Sequence, residues 1–92
     1  MIAYSGHSGS SMKDAIIITG AETHYDSVAA EYEYLERLFG KRGVDFCILE
    51  QGLLQAGQKH FDVVKVRLSD DSRKTFFFDI TDSYDRFVIY PQ

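Results

Sequence analysis

The sequence predicts an α+β domain of order β-α-β-β-β, one amphipathic helix packed on a mostly antiparallel four-stranded sheet. Three features carry this expectation: an apolar β-branched run at Ala15 to Thr19, a helical stripe between Tyr25 and Phe39, and a two-residue period from Val44 onward. A short turn or strand near Arg86 to Tyr90 is an optional further element.

Residues Ser5 to Ser11 are only Ser, Gly and one His. With little to bury and an unrestrained backbone, they predict a disordered leader over residues 1–13, with the single domain occupying 14–92. His7 then carries no structural or chemical role. Ala15 to Thr19 is apolar on both faces, as in an internal strand covered on two sides, and Gly20 ends it.

Thr23 stands three residues before Asp26, a spacing that lets the threonine hydroxyl cap the first amides of a helix beginning near His24. Tyr25, Val28, Tyr32, Leu35 and Phe39, widened by Ala29 and Leu38, are expected to face the core. Glu31, Glu33, Glu36 and Arg37 are expected to face water, with Glu33 and Arg37 paired at i, i+4. Gly40 and Gly43 supply the conformational freedom to stop the helix.

Three β-rich runs follow, Val44 to Gln55, His60 to Ser69 and Arg73 to Ile80, separated by Ala56-Gly57 and Asp70-Asp71-Ser72. They predict an antiparallel meander, with a bulge or kink at Gly52. Parity decides which side chains share a face. An odd loop between the last two runs groups Val64, Val66 and Leu68 with Phe76, Phe78 and Ile80; an even loop turns Asp79 to the core. Burying a carboxylate without a partner is costly, which favours the odd register. That register leaves Phe61, Val63 and Phe77 on the opposite face, to be covered by Phe87-Val88-Ile89-Tyr90 or by a second copy of the chain. Pairing of the first strand with either the second or the last stays open.

Ninety-two residues suit one core. Ten Lys and Arg against fourteen Asp and Glu give a net charge of −4, and the basic residues are scattered, so nucleic acid is not an expected partner. No apolar run is longer than Ala15 to Ile18, which is far short of the roughly 20 residues that cross a bilayer, and no membrane association is expected. The opening residues lack the basic and apolar regions of a secretory signal. A single cysteine, Cys47, forms no internal disulfide and suits a reducing, cytoplasmic compartment.

Chemistry-bearing residues are sparse. Glu22, His24 and Asp26 lie at the junction of the first strand and the helix, where free amides and titratable groups coincide. The loop has one glycine and an acidic residue rather than a phosphate cradle, and the three side chains sit too close in sequence to enclose a metal. His60 is expected opposite a residue near Leu53, about 20 Å from Cys47 and out of reach for proton transfer. Asp79, Asp82 and Asp85 lack the spacing of a calcium loop, and Thr81 or Asp82 is expected to cap a short turn there. No cofactor or metal is expected. Of six Tyr and seven Phe, Tyr34 and Phe77 fall off the favoured core faces and are the interfacial aromatics.

These readings lead to a small noncatalytic protein-interaction or regulatory module, a homodimer or a domain binding another protein through Phe61, Val63, Phe77 and Tyr34. The alternative is a small enzyme or ligand-binding domain centred on Glu22, His24 and Asp26.

Overall fold

The computed structural model describes residues 1–84, which form β1 (Ala3–Gly6), β2 (Ile16–Thr19), α1 (His24–Phe39), β3 (Phe46–Ala56), β4 (Lys59–Leu68), β5 (Arg73–Asp79) and the short α2 (Thr81–Tyr84). The α+β class is as expected, one main helix against a mostly antiparallel sheet, but the sheet has five strands in the order β1-β2-β5-β4-β3. The suggested element at 86–90, and the idea that 87–90 cover the sheet, lie outside the described residues.

The additional strand is β1, which corrects the reading of residues 1–13 as a disordered leader. It pairs antiparallel with β2, from Ala3 opposite Thr19 to Gly6 opposite Ile16. The Ser/Gly segment that follows is also held. β2 pairs with β5 only at Phe78 and Asp79, in parallel. Further along that edge of β5, the Phe77 amide donates to the Gly9 carbonyl at 2.7 Å. Gly9 is buried with φ +86°, and a Cβ there would lie 2.7 Å from Ile16 Cδ1. A side chain would keep the loop off the core, so the composition that suggests disorder is here what allows close approach.

α1 begins and ends as its sequence dictates. Thr23 Oγ1 accepts from the Asp26 amide at 3.1 Å, and the Gly40 amide donates to the Glu36 carbonyl at 2.9 Å. Its buried face is rotated from the expected one by about 100°, one residue's turn of the helix. Ser27, Ala30, Glu31 and Leu35 are buried, whereas Tyr25 and Leu38 are 78% and 52% exposed. Small residues at 27 and 30 let the helix backbone approach the sheet, and the Tyr4 hydroxyl donates to the Ala30 carbonyl at 2.8 Å. Hydrophobicity alone misplaced the face because contact distance also selects for small side chains.

The odd register is the one observed: Val64 lies opposite Phe76, and with Val66, Phe78 and Ile80 it joins Ile16, Ile18 and Leu35 in the core. Gly57, at φ +62°, opens the tight two-residue connection between Ala56 and Lys59, as in a type II′ hairpin. The expected irregularity in β3 is present but falls between Ile48 and Glu50, at Leu49 rather than Gly52. From Glu50 to Ala56 the strand is regular again, and its even-numbered residues share the outer face with Val63 and Phe77. His60 lies opposite Gln55, two positions beyond the expected Leu53 and further still from Cys47.

Candidate functional site

The two sides of the sheet are treated differently. α1 covers the side bearing Val64, Val66, Phe76 and Phe78. On the outer side a cavity of about 420 Å³ opens where Gly52, Val63 and Phe77 stand in one row across β3, β4 and β5, with Leu54 and Lys65 at its rim. Gly52 creates it: a Cβ there would meet nothing within 4 Å. Among the described residues β3 is also one of the two edge strands of the sheet, β1 being the other. Leu49, Leu53 and Leu54 are exposed along β3, at 39%, 57% and 38%.

Of the four interfacial residues expected from sequence, two are brought together there. Val63 and Phe77 are half-buried neighbours in the outer row. Phe61, on the same face, is only 4% exposed and presents no ring to a partner. Tyr34 is half-buried on the helix side, its ring 5.3 Å from that of Tyr4 and 5.8 Å from that of Phe78. Its position off the predicted stripe misled because the helix face itself is turned.

Glu22, His24 and Asp26 separate into two places. Glu22 and Asp26 are exposed and, with Glu33, border a cavity of about 320 Å³. The His24 ring turns toward α2, 5.9 Å from Tyr84, whose other neighbour is the His60 ring stacked at 3.8 Å. The structure therefore gathers the two histidines around one tyrosine and leaves the carboxylates outside. Among the described residues no group of three or more His, Cys, Asp or Glu side chains is placed to hold a metal ion. No described helix is long and apolar enough to cross a membrane.

A pair that sequence reasoning missed lies under the helix. Glu31, expected in water, is fully buried, and Asp62 is 2% exposed. Gln51 Nε2 donates to Asp62 Oδ2 at 2.7 Å and to Glu31 Oε1 at 3.4 Å, and the Tyr32 hydroxyl donates to Gln51 Oε1 at 2.6 Å. Burial, with Asp62 adjoining, pushes the Glu31 carboxyl up to about 11, so Glu31 holds its proton at neutral pH. The signal was present in β4: the parity that brings Val64 and Val66 inward brings Asp62 with them. Perturbed carboxyls of this kind mark active sites when they face a cleft. Here the amide of Gln51 closes the pair off, and the arrangement links α1 to β3 and β4.

Asp79 is also buried, on the outer side of β5, and it is well supplied with partners. Oδ1 accepts from the Thr81 amide at 3.0 Å and the Thr81 hydroxyl at 2.6 Å, while Lys59 Nζ lies 3.9 Å from Oδ2. The only cysteine, Cys47, is half-buried opposite Arg67. Compared with known proteins, the chain matches no family model, no curated protein and no solved structure.

Proposed function

We propose that this chain is a small noncatalytic protein-interaction module whose docking surface is the outer face of β3, β4 and β5 together with the free edge of β3. The observation that supports this reading is the depression at Gly52, floored by Val63 and Phe77 and bounded by an exposed leucine-bearing strand. Single exposed apolar residues are ordinary on protein surfaces; a contiguous set beside an unpaired strand is the arrangement that association surfaces use. A cytoplasmic setting accords with the lone thiol of Cys47.

Phe77→Asp tests the reading. It places a carboxylate in the floor of the depression and is expected to weaken association by about tenfold or more in sedimentation velocity, with the far-ultraviolet circular dichroism of the fold retained. A soluble paramagnetic agent is expected to broaden the Phe77 and Val63 side-chain resonances of the dilute wild type. Rings shielded from that agent in the monomer would remove the surface on which the reading rests.

A further inference from the structure

We propose that β3 pairs antiparallel with β3 of a second copy of this chain, centred on Leu53, joining two sheets edge to edge. This rests on the reading of that surface as a docking site and names its occupant.

The two edges of the sheet differ in a way that selects β3. β1 is four residues long, and a short edge strand offers little to pair with. β3 runs for eleven residues, and the seven beyond the bulge at Leu49, Glu50 to Ala56, form a regular exposed edge. Proteins usually guard such an edge with lysine, proline or inward-pointing charge. This one has neither lysine nor proline and a single acidic side chain, Glu50.

Charge then distinguishes a second copy from other partners and fixes the register. A chain of net charge −4 meets its own kind where its charges are absent or opposed. Pairing centred on Leu53 uses all seven residues and places the two Glu50 residues at opposite ends, about 20 Å apart along the strands and well beyond the Debye length. Each Glu50 then faces Ala56 of the other copy. In the strand behind that alanine, in the same outward row, stands Lys59. Its side chain is 65% exposed, and the small alanine leaves the path between carboxylate and ammonium open. A register centred on Glu50 would instead oppose two carboxylates directly, which destabilises paired strands.

The side chains suit the same register. Leu53 meets Leu53 on the helix side. On the outer side Leu54 of one copy lies opposite Gly52 of the other, so each leucine leans over the bare glycine toward Val63 and Phe77. A large side chain across from a strand glycine is a known way of covering the gap. The symmetry axis stands perpendicular to the sheet, so both α1 helices lie on one side and the two outer faces merge into one.

The experiment uses the full chain at about 100 µM, above the micromolar Kd of a small interface. Sedimentation velocity is expected to show a dimer for the wild type and a monomer for Leu53→Lys, which opposes two lysines at the axis. Its lysine lies beside Asp62 within the monomer, so the fold is retained. Leu53→Cys is expected to cross-link on mild oxidation, whereas the wild type is not, because its two Cys47 residues would lie about 40 Å apart. A monomeric wild type, or an L53C variant that stays uncross-linked, overturns the proposal. If the dimer responds to Phe77→Asp but to neither change at Leu53, edge pairing fails while the outer-face reading stands. A monomer whose Leu53 and Gln55 amides, which point away from β4, resist hydrogen exchange would assign the edge to another segment of the same chain.

Discussion

Glu31 on α1 and Asp62 on β4 meet inside the molecule, with the side-chain amide of Gln51 donating to both, at 3.4 Å and 2.7 Å. Glu31 keeps its proton there because burial beside a second carboxyl penalises its charged form. Helix α1 and strands β3 and β4 are thereby tied through the side chain of Gln51.

The pair makes stability depend on pH in a definite direction. The Glu31 carboxyl has an ordinary value of 4.5 and is raised to about 11 in the fold. Between those values the folded chain holds a proton that the unfolded chain releases, so the stabilisation is complete below about 4.5 and is lost progressively as pH rises toward 11. The wild-type Tm is expected to fall between pH 5 and pH 8. Glu31→Gln keeps the shape and a donor without the titration, so its Tm should change less over that range and exceed the wild-type value at pH 8. Parallel Tm profiles for the two proteins would show that the pair does not titrate as described.

The N-terminal segment is a structural part of the sheet. Tyr4→Phe removes the hydroxyl that donates to Ala30 at 2.8 Å and is expected to cost about 1 kcal/mol in urea unfolding. Gly9→Ala is expected to cost more, about 2 kcal/mol, since a Cβ would be strained at φ +86° and would lie 2.7 Å from Ile16 Cδ1. A chain unaffected by both changes would have residues 1–13 detached from the core.

Asp79 anchors the chain where β5 turns into α2. Asp79→Ala leaves the amide and hydroxyl of Thr81 without their shared acceptor and is expected to cost about 1 to 3 kcal/mol. Thr81 Oγ1 also accepts from the His60 amide at 3.0 Å, so amide shift changes should extend to His60 as well as α2. Shifts confined to position 79 would show that the three residues are not one network.

The meander could be read from sequence because period and parity are local properties. The cost of burying an aspartate, however, does not discriminate between the two registers. Keeping Asp79 off the helix side puts Asp62 on it, and Asp79 is buried regardless, at 7% exposure. What selects the register is the apolar set of Val64, Val66, Phe76, Phe78 and Ile80. β1 escaped notice because its four residues pair with β2 and so depend on context that a window of sequence does not contain. The helix face was misjudged because Ser27 and Ala30 contribute closeness rather than hydrophobicity. Val63 and Phe77 were placed together by parity alone, while the notch between them and the strand edge required knowing that β3 is outermost.

The parallel contact of Ile16 with Phe78 constrains the order in which the molecule is made. β2 leaves the ribosome before the meander does and can form a hairpin with β1, yet its other neighbour, β5, is the last of the described strands to be synthesised. The β3–β4–β5 meander, with short connections, can assemble from local contacts, but β2 must wait until position 78 has emerged and then close a loop of about sixty residues, a slow kind of step. Throughout that interval Ile16 and Ile18 lack the strand that shields them in the finished chain, which makes elongation the period of greatest vulnerability to aggregation.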